Sequence, residues 1–132
     1  MSMTDPISDY LTRIRNAIQA HHKHTDIPAS RVKAEISKIL LQTGYIKDVK
    51  FIDDNKQGLL RIYVKYSHDE VSAITGLKRV SKPGLRAYLP KNKIPRVRGG
   101  YGIAILSTSQ GILPDSECRN RGIGGEVICE VW

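Results

Sequence analysis

Three consecutive hydroxyl side chains, Ser107-Thr108-Ser109, followed by Gln110 and Gly111, are the residues whose types and spacing best suit chemistry in this chain. That chemistry is recognition rather than reaction. A hydroxyl on a short, stiff side chain both donates and accepts, and a glycine lets backbone N–H groups come close to a partner. Before them stands Ile103-Ala104-Ile105-Leu106, a continuous apolar run with the pattern of a buried strand. Gly102–Gly111 therefore reads as a loop delivered to the surface on a rigid support, although an isolated S-T-S also suits an ordinary turn with satisfied hydroxyls. Gly124, Gly125 and Glu126 form a second cluster of exposed backbone, with one carboxylate. Glu126 would repel phosphates, so it either accepts hydrogen bonds from base amino groups, orders a loop, or is a plain exposed strand residue.

Reactive constellations are missing. No G-x-S-x-G surrounds Ser107 or Ser109, and the chain has neither a P-loop lysine nor a dinucleotide fingerprint. Its acids are scattered, leaving no pair for general acid–base work. His21-His22-Lys23-His24 lacks the neighbouring groups that orient metal-bound imidazoles, so no metal and no cofactor is expected there. Gly99-Gly100-Tyr101-Gly102 is a lone glycine loop. Cys118 and Cys129 stand far apart in no ligand spacing and read as reduced cytosolic thiols, Cys129 in the core. An enzyme is not expected.

Charge points to the partner. The net charge is +8, with 21 Lys and Arg against 13 Asp and Glu. Lys78, Arg79, Lys82, Arg86, Lys91, Lys93, Arg96 and Arg98 fall in one segment that contains no acid, and the remaining basic residues balance the acids. Such a local field attracts polyanions, nucleic acid above all. No basic amphipathic helix accompanies it, which argues against an anionic membrane surface. No apolar stretch is long enough for a membrane span, and MSMTDPISDYL shows no basic region followed by an apolar run.

The elements that must position these groups follow from periodicity. Asp5-Pro6 is suited to open a helix in which Ile7, Leu11, Ile14 and Ile18 form one stripe. Arg13 and Asn16 project from its far side and Arg15 from its flank. After a short strand, a second helix begins near Ala29 with Ser30 as capping hydroxyl; Val32, Ile36, Ile39 and Leu40 form its stripe and Gly44 ends it. Arg31 and Lys33 occupy its first turn, where the helix dipole disfavours cations but a phosphate would bind. Tyr45–Ile52 and Leu59–Tyr66 alternate around a polar loop and read as a hairpin. Polar residues 67–70 mark a linker. Beyond it, Leu77–Val80 and Leu85–Leu89 flank the proline–glycine turn Ser81–Gly84, with Tyr88 placed to stack on a base or ribose or to pack in a sheet. Asp115–Arg121 reads as a short helix ending at Gly122, and Glu126–Trp132 as a final strand with Val127, Cys129 and Val131 facing the core. The fold class is α+β. Two small α+β domains packed together are expected: 1–66 with helices on a small sheet, a linker over 67–76, and 77–132 as a mostly antiparallel β domain that binds RNA.

The binding elements are of two physical kinds. Lys and Arg neutralise phosphates without reading sequence. Small hydroxyls, glycines and Glu126 suit base edges and 2′-hydroxyls, as in structured RNA.

DPISDYLTRIRNA, IPASRVK, GYI, LKRVSKPGLRAY, GIAILSTSQG and GIGGEVICEVW, in this order over nearly the whole chain, resemble the bacterial form of the small-subunit ribosomal protein number eight family. The resemblance implies a structural constituent of the small ribosomal subunit, a primary binder of the central domain of its rRNA that acts early in assembly of the platform. It implies a cytoplasmic protein in the ribosome, monomeric outside it, that contacts neighbouring ribosomal proteins and no membrane, and in many bacteria represses its own operon's mRNA. A free RNA-binding translational regulator is the alternative. By motif match, the RNA contacts are Ser107, Thr108, Ser109, Gly111, Gly124, Gly125 and Glu126, with Lys82, Pro83, Arg86 and Tyr88. Arg13, Arg15, Asn16, Ser30 and Lys33 follow from the N-terminal motifs. Gln110 stands where the family often has lysine and Glu130 where it usually has an aromatic. Pro114 replaces a threonine, leaving Asp115 as the expected cap of the short helix.

Overall fold

A computed structural model describes residues 4–132, which divide into two units: Asp9–Thr75, and Gly76–Trp132 together with the start of the chain through Ser8. The helix α1 (Pro6–Gln19) is capped by Asp5, whose Oδ1 accepts from the Ser8 N–H at 3.1 Å. The Asp5 carboxylate also receives the Arg79 guanidinium at 3.1 Å, which joins the chain's beginning to the C-terminal unit. Burial acts to raise the Asp5 carboxyl, but the Ser8 amide and Arg79 outweigh it and hold it below the usual carboxylate range.

In the N-terminal unit, β1 (His24–Pro28) leads to α2 (Arg31–Gln42), then to the antiparallel pair β2 (Ile46–Ile52) and β3 (Leu59–Val64). The sheet order is β1-β3-β2. Alternation is clean on the central strand, where Leu60, Ile62 and Val64 are buried, as are Tyr10, Leu11 and Ile14 of α1 and Ile36 and Leu40 of α2. Register sets Asp26 opposite Arg61, and the guanidinium grips both carboxylate oxygens at 2.8 and 3.0 Å.

One face assignment is corrected. Val32 is exposed, and Lys33 and Ser37 join Ile36, Ile39 and Leu40 among the buried residues of α2. Both polar side chains are satisfied there: Lys33 Nζ donates to the Pro28 carbonyl at 3.0 Å, and Ser37 Oγ lies 2.6 Å from Tyr10 Oη. A lysine stem is as apolar as valine once its ammonium has an acceptor, so the stripe turns by one position.

The C-terminal unit is built on β8 (Gly125–Val131) and β6 (Ile103–Thr108). Outside them lie β7 (Gly111–Pro114), on β6, and β4 (Leu77–Arg79) with β5 (Tyr88–Leu89), both on β8. The segments flanking the Pro83-Gly84 turn thus do not form a hairpin with each other. They run in succession along β8, Leu77 opposite Val131 and Tyr88 opposite Glu126, and only Lys82 and Leu85 pair across the turn. The free backbone groups of β8 provide a longer and better ladder than a short two-stranded ribbon would.

Val97, Ala104, Leu106, Cys118 and Val127 form a core cluster, with Leu113, Ile123 and Trp132 packed against it. The helix α3 (Asp115–Arg121) contributes Cys118 and ends at Gly122, whose φ of 65° is left-handed. Asp115 is not the cap. Pro114 holds that position without a side-chain bond, and the Asp115 carboxylate, buried, accepts from the Ala104 N–H of β6 at 3.1 Å and from Arg119 at 2.6 Å. A bulge opposite Ile105 and Leu106 also divides the expected inward set of β8. Val127 pairs with Leu106 on the α3 side, whereas Cys129 and Val131, paired with Ile105 and Ile103, lie on the other face; all three are buried. Burial pushes the Cys129 thiol up to about 12.

Val131 is fully buried, so Val131→Asp places a carboxylate out of reach of water. The variant should lose ~3 kcal/mol or more of unfolding free energy, measured by urea titration. A midpoint equal to that of the parent protein would show that this face is open.

Candidate nucleic-acid interface

Antiparallel register assembles the site. Ser107 of β6 lies opposite Glu126 of β8, and Glu126 lies opposite Tyr88 of β5. Residues directly opposite share a face, so Tyr88, Glu126 and Ser107 form one row across three strands. Tyr88 is 68% exposed at the end of that row. Strand β6 turns immediately afterwards through Ser109 and Gln110 into β7, with Thr108 paired to Gly111.

The three hydroxyls divide their work. Thr108 Oγ1 donates to the Gly111 carbonyl at 2.7 Å and accepts from the Gln110 N–H at 3.0 Å, closing the turn on itself. Gly111 has φ 104°, a conformation a side chain would oppose. The Ser107 and Ser109 hydroxyls have no hydrogen-bonding partner among the described residues, and Ser109 is exposed. One hydroxyl shapes the loop and two are presented.

Gly124 and Gly125 have a structural cause. A Cβ at Gly124 would collide with the Leu89 carbonyl oxygen, and one at Gly125 with the Ser107 carbonyl oxygen. Two glycines let β8 begin against both neighbouring strands at once, which draws Tyr88 and Ser107 to either side of Glu126.

Glu126 resolves in favour of loop ordering. Its Oε2 receives Ser81 Oγ–H at 2.6 Å and Arg86 Nη1–H at 3.1 Å, and Ser81 Oγ in turn accepts the Ala87 N–H at 3.1 Å. Ser81 is wholly buried and the Glu126 side chain only 18% exposed. The carboxylate therefore holds both ends of the turn that carries Lys82, Pro83 and Arg86. Within that turn Lys82 and Leu85 exchange backbone hydrogen bonds at 3.0 Å each, and Lys82, Leu85 and Arg86 are exposed. The sequence reading missed Ser81, since nothing in Ser81-Lys82-Pro83-Gly84 separates a turn serine from a buried bridge.

The structure sorts the eight cations of 78–98. Arg79 is nearly buried, bound to Asp5 and to the Ile128 carbonyl at 2.8 Å. Arg98 stacks over the Trp132 ring at 4.4 Å, and Arg86 is shared with Glu126. Lys78, Lys82, Lys91, Lys93 and Arg96 are exposed and pair with no acid among the described residues. Beside the serine turn, Arg121 donates to Gln110 Oε1 at 3.0 Å and to Glu117 at 3.1 Å, so Gln110 tethers an arginine.

The remaining sequence-derived residues belong to the N-terminal unit. Arg13 pairs with Asp9 at 2.9 Å and reaches the Asp26 carbonyl at 3.3 Å; with Asn16 it lines a hollow of about 330 Å³ beside His22 and Thr25. Arg15 sits half-exposed on α1. Ser30 is the cap of α2, accepting from the Lys33 N–H at 3.2 Å, and the Lys33 ammonium is held at Pro28, so neither is presented as Arg13 and Asn16 are. Among the described residues, no three His, Cys, Asp or Glu converge as a metal site would require, and no helix is long and apolar enough to cross a membrane.

A family model described as ribosomal protein S8 matches residues 5–132. A relative from Natranaerobius thermophilus, named small ribosomal subunit protein uS8, is 59% identical over 132 residues that cover both chains completely. Relatives of the same name from Geobacillus kaustophilus and Moorella thermoacetica are 58% identical over the full chain and 57% identical over 98% of it, each covered completely.

Removing the buried bridge tests the site's architecture. Ser81→Ala leaves the Ala87 N–H without its acceptor and Glu126 with one donor fewer, which should cost ~1–3 kcal/mol in urea unfolding. In heteronuclear spectra the amides of Lys82–Tyr88 should broaden while those of β6 and β7 stay in place. An undisturbed turn with unchanged stability would contradict the bridge.

Proposed function

The chain belongs to the ribosomal protein S8 family, and on that premise we propose that it is a structural, non-enzymatic constituent of the small ribosomal subunit that binds the central domain of the subunit's rRNA and helps to assemble the platform. The observation that carries this reading is the Tyr88–Glu126–Ser107 row, with exposed Ser109 in the turn that follows Ser107 and exposed Lys82 and Arg86 in the turn that Glu126 holds.

Physical roles follow from position. Lys82, Lys91, Lys93 and Arg96 draw the phosphate backbone in and set orientation without reading sequence, whereas Lys78, opposite Glu130, lies on the other face of β8. Ser107 and Ser109 then meet 2′-hydroxyls and base edges, which a shallow RNA minor groove or a distorted stem displays. The Tyr88 ring offers a stacking surface at the edge of the row. Glu126 turns one oxygen inward to Ser81 and Arg86, and its Oε1, which has no partner among the described residues, suits a base amino group. Gly111, Gly124, Gly125 and Pro83 serve by backbone shape and closeness. In the N-terminal unit, Arg13, Arg15 and Asn16 add contacts, while Ser30 and Lys33 act by fixing the start of α2.

Specificity and affinity should separate on mutation. Ser109→Ala should weaken a central-domain rRNA fragment by ~1–3 kcal/mol and leave the salt dependence unchanged, because a hydroxyl displaces no counterions. Lys82→Ala should weaken cognate and unrelated RNA alike and flatten the slope of log K against log salt by about one unit. Equal losses on both RNAs for Ser109→Ala would reduce the serine turn to a structural feature. Co-sedimentation with small subunits at high salt is expected; RNA binding without co-sedimentation would favour a free regulator.

A further inference from the structure

The sequence reading set aside the basic, histidine-rich stretch after α1, and the C-terminal interface does not use it. In the N-terminal unit that stretch borders an open hollow of about 600 Å³ whose polar lining is Lys23, His24, Lys47, Lys65, Tyr63 and Tyr66. The volume is in the range of sites that enclose a small ligand or a nucleotide.

Strand ends bring these residues together. Lys23 precedes β1, with its carbonyl bound to the Val64 N–H at 2.9 Å, Lys65 follows β3, and Lys47 is the extra residue at a bulge between Ile46 and Asp48 near the start of β2. A bulge breaks the alternation of its strand and re-aims a side chain. The three ammonium groups are exposed and have no partner among the described residues. Tyr63 lies at the centre, opposite both His24 and Asp48, with the His24 ring 5.6 Å away and Lys50 Nζ 5.4 Å from its centroid.

No acid lines this hollow, and two stand beside its lining residues, outnumbered by the lysines. Asp26, 4.0 Å from His24, is gripped by Arg61 through both oxygens, and Asp48 Oδ1 accepts from the Val49 N–H at 2.8 Å. A second hollow of about 330 Å³ shares Lys23 and Tyr66 and continues past His21 and His68, with Glu70 as its one acid. Three unpaired cations around aromatic walls match a polyanion that carries π-faces. A carboxylate peptide would use the charge and leave Tyr63 and Tyr66 unused, so RNA fits better.

We infer that this hollow is a second RNA site, which takes the phosphate backbone of a single-stranded segment between Lys23, Lys47 and Lys65 without reading its sequence. It stands independently of the serine face.

The test uses the full-length, isotope-labelled protein and a short oligouridylate. Amide shifts should concentrate at Lys23, His24, Lys47 and Tyr63–Tyr66. Lys23→Gln/Lys47→Gln/Lys65→Gln should weaken oligouridylate binding roughly tenfold at moderate salt and flatten the salt slope by about two units, at ~0.7 per single-strand phosphate contact. Lys56→Gln, which removes an exposed lysine in the loop between β2 and β3, should leave both unchanged. Shifts confined to the C-terminal unit would overturn the proposal, whether or not the triple variant folds. Equal shifts from inorganic phosphate would reduce the hollow to a site for isolated anions. Tighter occupancy by oligoglutamate would assign it to an acidic protein segment instead.

Discussion

Glu126 Oε2 receives two donors, Ser81 from beneath and Arg86 from the surface, and through Ser81 it also governs the Ala87 N–H. The proposed recognition face of the C-terminal unit depends on this carboxylate. Without it, the segment between β4 and β5 has only the short Lys82–Leu85 pairing to define its path. With it, a basic turn is fixed against the central strand that also neighbours Ser107. A buried hydroxyl and a mostly buried carboxylate are costly to desolvate, and the cost is offset because each satisfies the other in a low-dielectric setting. An acid inside a basic binder is thereby explained, for it organises cations rather than opposing the ligand.

Close backbone approach makes the same face possible. Gly124 and Gly125 meet the carbonyls of Leu89 and Ser107 where any side chain would collide, so β8 starts tightly between β5 and β6. The serine turn is stiff because Thr108 closes it and Gly111 accepts a left-handed conformation. A loop preorganised in this way loses little freedom on binding, so its hydroxyls can discriminate rather than merely adhere. The exposed lysines have the opposite character. They are long, mobile point charges suited to capture at a distance and to release of counterions.

Much of this was legible in the sequence, because periodicity and turn chemistry are local. Leu11 and Ile14 of the α1 stripe, the capping roles of Asp5 and Ser30, the β2–β3 hairpin, the buried run ahead of Ser107 and the helix ending at Gly122 all follow from neighbouring residues. Tyr10 and Ala17, and not Ile7 and Ile18, complete the buried face of α1. What escaped is non-local. Ser81 and Glu126 are distant in sequence, and no spacing announces their bond. The bulge that sends Val127 to one face and Cys129 to the other is decided by pairing with β6. Lys33 in place of Val32 on the inner side of α2 depends on an acceptor at Pro28. Asp115 reads locally as a helix cap, but the Ala104 N–H and Arg119 compete for its carboxylate and win. Charge misled in the same way: eight cations in one segment imply eight free charges, and three are engaged by Asp5, Glu126 and Trp132.

Photocrosslinking of the purified full-length protein to small-subunit rRNA, followed by peptide mapping, tests the central claim most directly. Tyr88 is the exposed aromatic of the Tyr88–Glu126–Ser107 row, and Ser107–Gly111 is the turn proposed to meet bases and riboses. The account predicts crosslinks at Tyr88 and in the peptide containing Ser107–Gly111, persisting at salt concentrations that remove nonspecific contacts. Crosslinked protein with neither of those stretches attached to RNA would contradict it.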